Sequence, residues 1–174
     1  NVFSINDDAP SIDATAVLTA DTLNTDDSTL TVNDTANFAD NFAPAISLSQ
    51  DAPNSVDYSL NLSSANVGSG LFALDATQAN GKGAEIVLNQ SGDVVTGSAG
   101  GTDYFTITVD GITGDVSFDQ IASVWHDNTA QDNELSTLST SAASDLVITA
   151  TVTDADKDAR SVDLNLGQNV FSIN

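Results

Sequence analysis

Apolar residues recur at every second position along much of this 174-residue chain, and that period belongs to strands with one buried face. Tyr58, Leu60 and Leu62 alternate with Asp57, Ser59 and Asn61. Phe105, Ile107 and Val109 alternate with Thr106 and Thr108, and Val116 and Phe118 with Ser117 and Asp119. Leu146, Ile148, Ala150 and Val152 interleave with Thr149 and Thr151, and Val162, Leu164 and Leu166 with Asp163 and Asn165. Residues 12–18, 29–32, 85–88 and 94–96 are further candidates, so about nine or ten strands are expected.

Turn residues separate these runs. Ser91-Gly92 reads as a two-residue hairpin, Gly100-Gly101 as a looser loop, and residues 110–114 (DGITG) as a third connection. Short links between many strands, without helical crossovers, exclude a parallel α/β sheet and favour an all-β antiparallel sandwich. Residues 24–27 and 126–134 read as exposed loops, and residues 36–42 (ANFADNF) as a helical turn or an irregular strand. The glycine-rich nonapeptide of parallel β-rolls is missing.

Charge narrows the function classes. Three Lys plus Arg oppose 25 Asp plus Glu, for a formal net charge of −22. Phosphate binding needs clustered cations, and Lys82, Lys157 and Arg160 are scattered, so neither nucleic acid nor phosphoryl transfer is expected. One His and no Cys leave zinc without its usual ligands and the fold without disulfides. No apolar run approaches the roughly 18 residues that a membrane-spanning helix needs, and no membrane insertion is expected. The opening residues carry no basic, apolar leader, so an export signal is expected elsewhere.

The hexapeptide NVFSIN occupies residues 1–6 and recurs verbatim at residues 169–174. The chain is therefore expected to hold one unit of a tandem array. On this reading residues 1–10 are an inter-module linker, stiffened by Pro10, residues 11–168 are a single sandwich module, and residues 169–174 begin the next linker.

Of the acidic residues 23 are Asp and two are Glu, Glu85 and Glu134. Asp caps turns and supplies short carboxylate arms to calcium sites in loops. Its densest cluster is residues 153–160, TDADKDAR, with Asp154, Asp156 and Asp158 at alternate positions directly after a strand. In extended chain those side chains share one face about 7 Å apart, and a bend can gather them round one hard cation. The segment is no EF-hand, because Ala159 and Asn165 stand where Gly and a bidentate Glu belong. A Ca²⁺ site here needs backbone carbonyls or other Asp residues to complete it, and Asp7 and Asp8 are the natural candidates. The plainer alternative is a solvated hairpin turn.

The Trp125-His126-Asp127 cluster could belong to a Ser-His-Asp arrangement, but Ser and Asp are so common here that the match carries little information. No catalytic activity is expected. Trp125, Tyr58 or Tyr104 could contact glycan, or Trp125 could fill one end of the core. Three Asn-x-Ser/Thr triplets, at Asn33, Asn61 and Asn89, are expected by chance in this composition.

Taken in order, several segments give the chain a resemblance to the repeated extender domain of giant bacterial RTX adhesins. They are the DDAP junction, the Tyr58-Ser59-Leu60 strand, Gly68-Ser69-Gly70-Leu71, residues 105–109 with Thr113-Gly114, Trp125-His126, and VTDADKDA before the last strand. The resemblance implies an immunoglobulin-like antiparallel β-sandwich, exported by type I secretion to the extracellular face of a bacterium. Such a module is one link among neighbouring copies, and it projects a distal ligand-binding region in cell adhesion or biofilm formation. Asp154, Asp156 and Asp158 match the family's DxDxD turn and Asp7 and Asp8 its junction acids, which implies calcium-stiffened junctions. Lys157 departs from the family by replacing a turn Gly. A calcium-dependent glycan- or surface-ligand-binding module is the alternative.

Overall fold

A computed structural model of the chain describes residues 7–128, 131 and 133–174. The first NVFSIN copy, and residues 129, 130 and 132 of the loop expected at 126–134, lie outside the described residues. In chain order the strands are β1 (Ser11–Ile12), β2 (Leu23–Thr25), β3 (Asp34–Asn37), β4 (Ile46–Ser47), β5 (Ser55–Leu62), β6 (Val67–Leu74) and β7 (Lys82–Ser91). They continue with β8 (Val94–Ala99), β9 (Thr102–Val109), β10 (Asp115–Gln120), β11 (Ser136–Ser139), β12 (Leu146–Thr153), β13 (Ala159–Asn165) and β14 (Gln168–Ile173). One helical turn, α1 (Ala39–Phe42), follows β3.

The strands form an all-β, sandwich-like arrangement of mostly antiparallel sheets. The largest sheet has the order β3-β10-β9-β8-β7-β6. Facing it are the sheets β11-β14-β2 and β13-β12-β5, and β1 pairs with β4 in a small ribbon. Among the described residues every strand pairing is antiparallel except that of β14 with β2.

Long alternating runs behave as their pattern dictates. Along β12, Leu146, Ile148, Ala150 and Val152 are fully buried, and β5 turns Tyr58 and Leu60 inward opposite Ala150 and Ile148. Phe118 joins the layers: its ring lies 5.4 Å from Phe105 in the same sheet and 5.3 Å from Phe171 of β14. The Phe105 ring also lies where a side chain on Gly97 would go, so β8 can cross here only as glycine.

The fourteen strands among the described residues exceed the nine or ten expected, because short strands carry too few alternations to be read and β6, eight residues long, fills part of its buried face with Ser69 and Ala73 and its other face with Gly68 and Gly70. Of residues 12–18 only Ile12, the end of β1, is strand, and a 3₁₀ turn follows at Ala14–Ala16, whose Thr15 N–H donates to Asp13 Oδ1. Residues 29–32 form a turn with no strand. Residues 24–27, read as an exposed loop, begin inside β2, where Leu23 and Thr25 are buried. Residues 36–42 hold both alternatives in sequence, the end of β3 and then α1. The hairpin turn is Gly92-Asp93, not Ser91-Gly92, since Ser91 pairs with Val94 and Gly92 takes φ 59°. Gly100 and Gly101, both at positive φ, make a tight two-residue turn because Ala99 pairs with Thr102. Residues 169–174, assigned by sequence to the next linker, lie almost wholly in β14, with Val170, Phe171 and Ile173 in the core. Val170 and Phe171 are adjacent and both buried, so this short segment shows no clean period of two.

Candidate metal centre

The β12–β13 hairpin pairs Thr153 with Ala159 and leaves residues 154–158 as its turn. The turn is closed from within: the Asp158 N–H donates to Asp154 Oδ1 at 2.9 Å, and the Asp154 N–H to the Asp158 carbonyl at 3.1 Å. To turn this tightly the backbone puts Lys157 at φ 82°, the left-handed region that glycine takes without strain.

The bend gathers carboxylates. One oxygen from each of Asp154, Asp156 and Asp158 lies within 4.8 Å of the others. Asp156 is exposed and Asp158 half-buried, while Asp154 is only 2% exposed. Asp154 Oδ2 is buried with no hydrogen-bond partner. A lone buried carboxylate oxygen is costly unless a positive charge meets it, and the two neighbouring carboxylates offer a cation further oxygen ligands. An all-oxygen, acidic and loosely shaped donor set suits Ca²⁺ better than softer metals.

A second group shares Asp156. Its carboxylate oxygen lies within 4.8 Å of those of Asp7 and Asp51, all three residues being exposed. Asp51 is held out by a small loop. The Ser49 N–H and Oγ both meet Asn54 Oδ1, while Asn54 Nδ2 donates to the Ser49 carbonyl. The structure thus joins Asp154, Asp156 and Asp158, and through Asp156 adds Asp7 and Asp51, the last of which sequence reasoning did not single out. Asp8 takes a different part: its Oδ2 accepts the Gln50 N–H at 2.8 Å, tying the N-terminal segment to the same loop. No local signal could have found Asp51, which is 105 positions from Asp156 in the chain.

Many other Asp residues are turn formers. Asp13, Asp26 and Asp75 each accept the backbone N–H and the hydroxyl of the Ser or Thr two residues on. Asp110 takes the N–H groups of Ile112 and Thr113 in the β9–β10 turn. These bonds hold all four carboxyls below the ordinary Asp value. A carboxylate one methylene longer would overreach them, which accounts physically for Asp over Glu.

The aromatic and imidazole cluster is built into loop packing. Trp125 is half-buried, its Nε1 donating to the Asn80 carbonyl at 2.8 Å, its ring edge-on to Phe72 and beneath Lys82 Nζ at 4.7 Å. It also borders a small cleft with Asp127 and Glu134. Tyr58 and Tyr104 are buried. His126 lies between Asp27 Oδ2, 3.2 Å from Nε2, and Ser136 Oγ, 3.0 Å from Nδ1. Asp27 further accepts from the Gln120 amide and the Val124 N–H. The row cross-links the β2–β3 connection, the loop after β10 and the start of β11. Burial pushes the Asp27 carboxyl above its ordinary value, against the pull of its hydrogen bonds and of His126.

Among known proteins, residues 22–167 match the model of a family described as Domain of unknown function (DUF5801). No curated protein and no solved structure matches the chain.

Proposed function

This chain belongs to the DUF5801 family, and we propose that it serves as a structural extender module of a bacterial surface adhesin, stiffened by calcium at the end that carries Asp7, Asp51 and Asp154–Asp158. The observation that carries the reading is the turn itself, which gathers one carboxylate oxygen from each of Asp154, Asp156 and Asp158 within 4.8 Å and leaves Asp154 Oδ2 buried without a hydrogen-bond partner. Two like charges about 4 Å apart near a surface repel by roughly 1 to 4 kcal/mol, and a divalent cation cancels that repulsion. Where Ca²⁺ binds, Asp156 would tie the hairpin turn to Asp51 and Asp7, so that loop, turn and N-terminal segment move as one piece.

No described helix is long and apolar enough to cross a membrane. Secretion by a type I route, the extracellular location and a role in adhesion or biofilm formation follow from the resemblance to RTX adhesin repeats, and are part of the proposal. Calorimetric titration with Ca²⁺ tests it. A dissociation constant of about 0.1 to 1 mM is expected, with free Ca²⁺ tenfold above it adding about 1.4 kcal/mol to stability. No heat of binding and an unchanged melting temperature at 10 mM Ca²⁺ would refute the calcium reading.

The cleft beside Trp125, Asp127 and Glu134 favours a second reading, calcium-dependent glycan binding. A glycan array read with the native chain and with Trp125→Ala separates the two. Trp-dependent signals support binding, and a blank array supports the extender.

A further inference from the structure

The hexapeptide at residues 169–174 is structural: Phe171 and Ile173 are fully buried, and β14 pairs with both β11 and β2. Its last residue is pinned as well. The Asn174 N–H donates to the Thr25 carbonyl at 3.0 Å, the Asp27 N–H donates to the Asn174 carbonyl at 2.8 Å, and Asn174 Nδ2 donates to Asn133 Oδ1 at 2.8 Å. The chain is gripped again almost at once after the other copy of the hexapeptide. Asp8 Oδ2 holds the Gln50 N–H, Pro10 is buried and β1 starts at Ser11.

From these placements we infer that the repeating unit is residues 7–174, that NVFSIN is the closing strand of each unit, and that a second copy docks end to end with a single residue, its Asp7, between the two gripped points. The inference rests on the tandem reading and stands whether or not calcium binds. Consecutive Cα atoms are 3.80 Å apart, so Asn174 of one copy and Asp8 of the next are at most about 7.6 Å apart. A joint that short brings the face of Asn174, Asp27, Asn133 and Glu134 up to the next copy's Gln50, Asp51 and Asp156, so that the short tether, against the repulsion of two acidic faces, fixes their approach.

Two further observations agree. The two faces sit at different ends of the molecule. Asp27 binds Gln120 at the far end of β10, while the β9–β10 turn at its near end bonds Tyr58 through the Gly111 carbonyl, on the strand that begins beside Thr153 of the Asp hairpin. In addition, Asn174 Oδ1 is buried without a partner.

Paired substitutions in the present chain, melted in chelator, test the unit's frame. Phe171→Ala should lower the melting temperature by roughly 6 to 20 °C, and Phe3→Ala should leave it unchanged. Equal losses from both, or none from Phe171→Ala, would overturn the frame. The joint is tested by joining a second copy of residues 7–174 directly after Asn174, with a spin label at Ile112→Cys in each copy, a site 84% exposed. A narrow distance distribution in chelator, broadened by six Gly/Ser residues inserted after Asn174, is expected. A distribution equally broad with and without the insert would overturn end-to-end docking while leaving the calcium reading to its own titration.

Discussion

The backbone carbonyl of Asp51 accepts a hydrogen bond from the amide of Ala155 at 3.2 Å, which brings two acidic loops from opposite halves of the chain into one corner. That contact holds Asp51 beside Asp156, where the Asp7 carboxylate also lies within 4.8 Å of both. Asp51→Ala keeps the carbonyl and removes only the carboxylate. Its effect should be confined to the cation: calorimetry should show about tenfold weaker Ca²⁺ binding, equivalent to about 1.4 kcal/mol, with little change in the metal-free melting temperature.

Asp154→Asn separates charge from shape. Asn keeps an oxygen for the Asp158 N–H but carries no charge in the buried position. Without metal, removing that charge from beside Asp156 and Asp158 should raise the melting temperature. With 10 mM Ca²⁺ the order should reverse, because the native chain gains a cation that the variant holds poorly. Parallel melting curves in chelator and in Ca²⁺ check this, and curves that never cross would count against a metal at Asp154.

Gly97→Ala should be costly although it adds one methyl group. The new Cβ would overlap the Phe105 ring, which is itself locked against Phe118. Overpacking of this kind costs about 1 to 3 kcal/mol, or roughly 2 to 12 °C in a chain of this size. The same exchange at Gly92 meets no neighbouring atom, but it strains a positive φ, so its loss should be smaller and independent of Phe105. Thermal melts of both variants in a Phe105→Leu background measure the difference.

Stability should respond to acid with two opposite signs. The carboxyls of Asp13, Asp26, Asp75 and Asp110 lie below their unfolded value of about 3.9, so they stabilise the fold above that pH and lose their contribution as pH falls through their folded values. Asp27 lies above it, so its contribution is fully present below about pH 3.9 and is lost as pH rises through its folded value. The melting temperature of Asp27→Asn relative to the native chain should therefore increase from pH 3.5 to pH 6. A flat difference would show that Asp27 is not penalised by its burial.

How far the sequence could be read depended on the range of each interaction. Alternation over four to seven residues marked β5, β9, β10, β12 and β13, because each carries its own record of which face is buried. β2, β11 and β14 carry three to six residues and little alternation, and they are strands because neighbours supply their hydrogen bonds. Phe171 could be recognised as core only once Phe118 was opposite it.

The candidate site divides in the same way. Spacing alone put Asp154, Asp156 and Asp158 on one bend, since alternate residues in a hairpin turn are brought together by local backbone geometry. Asp51, and the docking of Asp8 on Gln50, depended on chain segments meeting across the fold. So did the place of the closing hexapeptide, which as a sequence is only a repeat and as part of the sandwich is a buried strand. Local periodicity and turn chemistry therefore settled the all-β class and the acidic turn. Which distant segments share a face was decided by packing, because burial is a property of the folded chain and of no single stretch within it.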